Sequence, residues 1–227
     1  MTREPAESKA VQYHGTVAGI WEAQYKADTF NVRLQVLSSL LPNVDGQQWL
    51  DAGCGTGTIA RFLAARGARV TAIDASDEML SNVIPAGEVE YLNRDIGDTR
   101  LEDRRFDGIV CSSVIEYVEE PEVVMREFRR ILKKGGLLLI SVPVSSWRVR
   151  FPLVSIYWMT RPLGAKRWFT YLDHSKHCFS PENLTSLLLA AGFRVDRIAP
   201  LGALDLPLGL RLPYAPLQMA LAVSVDD

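Results

Sequence analysis

Residues 47–53 read as a short buried strand that runs into Asp51-Ala52-Gly53-Cys54-Gly55-Thr56-Gly57. The chain then passes straight into a helical pattern over 58–66, with Ile59, Phe62 and Leu63 on one face and Gly67 just past its end. A strand that reaches a helix through three alternating glycines constrains this chain more than any other feature. Glycines there let the backbone turn sharply and approach a ligand more closely than side chains would permit. In open α/β sheets, ligands bind outside the carboxyl ends of the strands. The turn therefore predicts an architecture and a binding site together.

The rest of the chain continues the alternation. Upstream, Phe30, Leu34, Leu37 and Leu41 recur at helical spacing until Pro42 stops them. Downstream, strands are predicted over 69–75, 89–95 and 106–113, with a short helix over 77–83. A helix over 121–134 is punctuated by Pro121 at its start and Gly135-Gly136 at its end, with Glu122 and the cations Arg129, Arg130, Lys133 and Lys134 at the matching poles. The apolar run 137–142 reads as a parallel strand covered on both faces. Ser180 and Pro181 open a helix to Ala191 that Gly192 closes. Two final strands, 193–198 and 218–225, have no helix between them and are expected to pair antiparallel. The first dozen residues are polar and are expected to fray. The predicted fold class is α/β: an open, mostly parallel seven-stranded sheet with helices on both faces and one antiparallel strand near the C-terminus.

Two carboxylates accompany the glycine turn. The second strand ends at Asp74, 21 residues after Gly53, where a carboxylate can accept both hydroxyls of a ribose. The third ends at Asp95, placed to read an adenine edge beside that ribose. Each acid alone also fits a solvated strand end or a helix cap. A nicotinamide dehydrogenase shares the strand–glycine–helix opening, but its G-x-G-x-x-G spacing is not the spacing of Gly53, Gly55 and Gly57.

Composition narrows the function. Twenty-five basic and 27 acidic residues leave a net charge of −2, which argues against nucleic-acid binding by bulk charge. With 48% hydrophobic residues the chain can bury a sizeable core. Three cysteines without C-x-x-C spacing exclude a disulfide framework and fit a reducing cytoplasm. The N-terminus is too charged for a signal peptide. The most apolar long stretch, 198–225, is broken by four prolines and carries Asp205 and Arg211, so no membrane span is expected.

Five motifs in order, DAGCGTG (51–57), AIDAS (72–76), NRD (93–95), FDGIVCSSVIEYV (106–118) and LKKGGLLLISVP (132–143), resemble those of class I S-adenosylmethionine-dependent methyltransferases. Residues 179–195 (FSPENL…AAGF) resemble the family less closely. The resemblance implies S-adenosylmethionine as cofactor and S-adenosylhomocysteine as product. It implies the cofactor over Gly53, Gly55 and Gly57, with the ribose on Asp74 beside Ala75 and the adenine near Asp95 and Ile96. It places Asp51 at the methionine amino group and Ser112 at the same site. Residues 30–34 (FNVRL) are similar to the N-P-x-R segment of the quinone-biosynthesis branch. By that similarity Arg33 holds the cofactor's carboxylate; otherwise it is a solvated helix arginine. Tyr13 and Tyr25 are candidates to close over the cofactor, or else packing residues.

The acceptor is less constrained. Glu116-Tyr117 stands where many relatives carry Glu-His, so Glu116 either faces the substrate or caps the following loop. Residues 145–178 hold seven of the chain's 20 aromatics and six basic residues against one acid, Asp173. This pattern suits either a cap packed on the core or a lid over an acidic or lipophilic acceptor, with peripheral membrane contact. His174 and His177 are candidate proton acceptors, or histidines bonded to backbone. No third ligand accompanies them, so no metal site is expected. The expected organisation is an N-terminal helical segment (1–46) closing over the cofactor, a cofactor-binding core (47–144), the lid (145–178), and a C-terminal helix with the last two strands (179–227). The expected activity is methyl transfer to an O, C or N atom of a small molecule, without nucleic acid. A catalytically silent methyltransferase-like binding domain is the other class.

Overall fold

Strands and helices alternate because the apolar period of the sequence switches repeatedly between two and 3.6 residues. The computed structural model describes residues 8–20, 27–146, 151, 154–155, 158, 174–202, 204–205, 211–212 and 215–225. Helices α1 (Lys9–Val17) and α2 (Ala27–Leu40) precede β1 (Gln48–Ala52), α3 (Thr58–Ala64), β2 (Arg69–Asp74), α4 (Asp77–Ser81), β3 (Val89–Asn93) and β4 (Phe106–Ser112). Then come α5 (Pro121–Ile131), β5 (Leu132–Pro143), α6 (Pro181–Ala190), β6 (Phe193–Leu201), the short β7 (Leu204–Asp205) and β8 (Arg211–Leu212), and β9 (Leu217–Ser224).

Seven strands form one sheet in the order β3-β2-β1-β4-β5-β9-β6. β9 runs antiparallel to both β5 and β6, and the remaining adjacent pairs are parallel. The order reverses between β1 and β4, so the carboxyl ends of those strands open a crevice. On one face Phe106, Ile109, Phe128, Leu184, Leu188 and Phe193 pack β4, α5, α6 and β6 together. On the other, Leu37 of α2 and Leu63 of α3 cover Trp49, Val70, Val110 and Met219. Trp49 is fully buried because Gly108, its neighbour across β1 and β4, has no side chain: a Cβ there would lie 2.3 Å from the indole.

Three expectations change. Residues 8–12 do not fray; Ser8 caps α1 by accepting the Val11 N–H at 3.2 Å, and α1 packs against α4. The helix expected to reach 134 ends at Ile131, because Leu132 turns extended and pairs with Phe106. Lys133 then lies in β5 and pairs with Asp107 at 2.7 Å instead of facing the helix pole. The connection between the last two strands of the sheet also carries the β7–β8 ribbon. Among the described residues no helix is long and apolar enough to cross a membrane.

Candidate functional site

The glycine turn is fastened from below. Gly53 and Cys54 donate their backbone N–H groups to the Ile73 carbonyl at 2.8 and 2.9 Å, tying the end of β1 to β2. Gly53, Gly55 and Gly57 all have positive φ, a region costly for L side chains. At Gly53 the constraint is also steric, since a Cβ would sit 2.3 Å from a methyl of Val114, just beyond β4. Arg61 braces the outer side by donating to the Thr56 carbonyl at 2.7 Å and to Thr58 Oγ1 at 3.2 Å.

Above the turn lies a cavity of about 700 Å³. Asp51, Gly53, Gly55, Asp74, Ala75, Asp95, Ile96, Ser112, Arg33 and Glu116 all line it, so the structure brings most of the sequence-predicted residues together. Gly57 caps the start of α3 behind the lining. His174 and His177 stand outside the lining: His174 stacks on Tyr13, and His177 Nε2 lies 3.1 Å from the Val118 carbonyl. Tyr25 lies outside the described residues, as do Trp147, Arg148, Arg150, Tyr157, Arg161, Lys166, Arg167, Trp168, Phe169, Tyr171 and Asp173 of the basic, aromatic stretch. Within that stretch Val154 lines the cavity, while Phe151 and Trp158 are largely exposed.

Two buried carboxylates set the electrostatics. Asp51 and Glu116 each have one oxygen (Oδ2 and Oε2) buried with no protein hydrogen-bond partner among the described residues. Burial pushes the Asp51 carboxyl up to about 7, opposed by the Ala60 backbone N–H. Burial likewise pushes Glu116 up to about 8, opposed by its own backbone N–H and by the charge of Arg33. Arg33 is thus a wall of the cavity and not a solvated helix residue. An unpaired buried carboxylate oxygen is costly, and an incoming cation or N–H or O–H donor would relieve that cost.

Asp74 is raised by burial but is held by two backbone donors, Gly55 N–H on one oxygen and Ser76 N–H on the other. Its remaining acceptor capacity faces the cavity. Asp95 Oδ1 accepts the Gly97 N–H at 2.7 Å. Buried Ser112 Oγ is shared with Ser141 Oγ at 2.9 Å. Carboxylates for hydroxyls and an ammonium, a guanidinium for a carboxylate, and a side-chain-free turn make a donor set that fits S-adenosylmethionine.

Several lining residues were not singled out in the sequence as site residues, Ser113 and His14 among them. Ser113 adopts φ 57°, and its hydroxyl is buried without a protein partner among the described residues; nothing in the sequence marks it. His14, the one histidine in the lining, sits on α1 with Nδ1 2.8 Å from the Ala10 carbonyl. Burial lowers its pKa, opposed by the Ala10 carbonyl and Asp74 and reinforced by His174. Lys176 lines the rim and pairs with Glu119.

A methyltransferase-domain family model matches residues 25–198. The ubiquinone biosynthesis O-methyltransferase of Xylella fastidiosa is 35% identical over 178 residues, covering 74% of this chain and 69% of that protein. The protein of the same name from Xanthomonas oryzae pv. oryzae is 34% identical over 116 residues, 48% of each chain, so that match spans about half of the relative. In structure, phosphoethanolamine N-methyltransferase 2 of Haemonchus contortus, solved with S-adenosyl-L-methionine, superposes with a TM-score of 0.67 at 17% identity. That likeness covers 95% of this chain and 58% of the other, and it is one of fold. A family match over three quarters of the sequence, laid on this strand order and glycine turn, makes the chain a member of the class I S-adenosylmethionine-dependent methyltransferases.

Proposed function

We propose that the chain methylates a hydroxyl oxygen of a small acceptor with an apolar body. The observation that carries this reading is the pair of unpartnered buried carboxylate oxygens, on Asp51 and Glu116, in one cavity. S-adenosylmethionine supplies an electrophilic methyl group on a sulfonium. Asp74 receives the ribose hydroxyls, Asp95 and Ile96 border the adenine, Asp51 holds the methionine ammonium, and Arg33 holds its carboxylate. The glycine turn admits the cofactor's backbone-close path.

The acceptor half lies where Val118, Val144, Val154 and Leu217 line the cavity beside Glu116. Displacement on a sulfonium depends on alignment and exclusion of water, which this apolar wall provides. A hydroxyl acceptor must also lose its proton, and ionised Glu116 is the group that takes it. The names of the Xylella and Xanthomonas relatives support oxygen as the target. Phe151 and Trp158 are exposed and, in the sequence, stand among basic residues, which supports contact with an anionic lipid surface. Co-sedimentation with anionic liposomes that weakens with salt is expected; no co-sedimentation at low salt removes the membrane role.

The test is transfer of tritiated methyl from S-adenosylmethionine to a panel of quinols, catechols, phenols and acidic metabolites. Labelling of a phenolic oxygen is expected. Cofactor binding with no labelled acceptor, or label only on nitrogen or carbon, overturns the assignment.

A further inference from the structure

Three separate stretches wall the cavity and meet one another around it. α1 supplies His14, and Ala75 and Met79 line the same cavity. The 3-10 turn Ile115–Tyr117 supplies Glu116 and Tyr117. The stretch 174–179 supplies Lys176 at the rim.

Each pair of stretches is joined by its own contact. The His14 ring meets Tyr117 edge-on, with centroids 4.7 Å apart and planes at 74°. The backbone N–H groups of Lys176 and His177 both donate to the Glu116 carbonyl, at 2.8 and 3.1 Å. The third contact bypasses the turn: Tyr13 lies flat on His174, with centroids 4.5 Å apart and planes at 20°. Tyr13 and His174 are not among the residues that line the cavity.

α1 has nine residues, of which only Ala10 is buried. A helix that short is marginal alone, so its seating depends on tertiary contacts and on what fills the space beneath it. A ligand under α1 favours the seated arrangement in proportion to the contacts it makes there. A seated α1 presents Tyr13 to His174, and His174 lies two residues before Lys176, the first of the two residues that grip the Glu116 carbonyl. The path from the cofactor half to the acceptor half is therefore continuous: α1, the ring stack, residues 176–177, Glu116.

We propose that the Tyr13–His174 stack couples the two halves of the cavity, so that filling the half beside Asp74 orders residues 174–179 and the Glu116 turn on the other. Tyr13 and His174 are positioning residues in this scheme. The inference rests on the reading that the Asp74 half takes an S-adenosyl ligand, and the two can fail separately.

The experiment is hydrogen–deuterium exchange on the full chain, with and without S-adenosylhomocysteine. In the native protein the ligand is expected to slow exchange in three places: the 53–57 turn, Lys9–Val17, and the peptide holding the amides of Lys176, His177 and Phe179. Those amides donate to the Glu116 and Pro143 carbonyls. Tyr13→Ala is expected to keep the slowing over 53–57 and to cut that over 176–179 from about five- to tenfold to under about twofold. Tyr13→Phe keeps the ring and restores it. His174→Ala breaks the stack from the other side and repeats the Tyr13→Ala result, so the effect does not hinge on how well α1 folds in one variant. Ligand protection of 176–179 that survives both alanine variants, or that is absent in the native chain while 53–57 is protected, overturns the coupling alone. No effect of the ligand anywhere overturns the site reading and the coupling with it.

Discussion

One oxygen of Asp74 accepts the backbone N–H of Gly55 at 2.8 Å, so the last residue of β2 fixes the middle of the glycine turn that leaves β1. The other oxygen accepts Ser76 N–H at 2.9 Å. The same carboxylate therefore shapes the turn and faces the cavity. Asp74→Ala is predicted to cost roughly 1–3 kcal/mol of stability, because two backbone donors lose their acceptor, and a further roughly 1.5–3 kcal/mol of cofactor binding. Calorimetric titration and thermal unfolding of the variant measure the two losses. Unchanged cofactor affinity would remove Asp74 from the ribose site.

Gly53 and Gly57 both have positive φ, but their surroundings differ. A Cβ on Gly53 meets the stiff branched side chain of Val114 at 2.3 Å, whereas one on Gly57 meets the far end of Tyr91 at 2.6 Å. Gly53→Ala is predicted to destabilise by more than Gly57→Ala, which loses about 1–2 kcal/mol from backbone strain alone. Chemical denaturation of the pair would show the order; equal losses would mean that Val114 yields freely.

Burial holds Asp51 up to about 7 and Glu116 up to about 8, against ordinary values near 4. Between those limits the folded chain binds more protons than the unfolded one, so stability declines as pH rises. The melting temperature of the ligand-free protein is predicted to fall from about pH 5.5 to about pH 8, and Asp51→Asn with Glu116→Gln to flatten the slope. A melting temperature that climbs over that window would contradict the burial of these groups.

If ionised Glu116 takes the acceptor's proton, turnover should rise as pH passes through about 8, where that carboxyl ionises. Glu116→Gln is predicted to lower kcat by about 10²–10⁴-fold and to remove the rise. A variant that keeps the native pH profile would take Glu116 out of the chemistry.

Much of the fold was legible because local and tertiary preferences agree there. The glycine turn, Asp74 and the buried runs of β1, β4 and β5 carry their structure in their own residue types. α1 was not legible. Its residues mix polar and apolar types without a clear stripe, and what seats them is the Ser8 cap together with rings from distant stretches, His14 on Tyr117 and Tyr13 on His174. Only the Ser8 cap could have been read locally. The end of α5 was misplaced for a related reason: Lys133 and Lys134 suit a helix pole, but strand pairing of Leu132 with Phe106 takes precedence. Among the histidines, sequence favoured the two nearest the variable region, while the one in the cavity lining comes from the opposite end of the chain.

The central claim is that the glycine-turn cavity binds S-adenosylmethionine through Asp74 and Asp51. Isothermal titration of S-adenosylmethionine, S-adenosylhomocysteine and NAD into the native protein, Asp74→Asn and Asp51→Asn tests it most directly. Both S-adenosyl ligands are predicted to bind the native chain at one site, with affinity lowered at least about tenfold in each variant and no binding of NAD. Binding of NAD with equal affinity, or S-adenosyl binding indifferent to both substitutions, would contradict it.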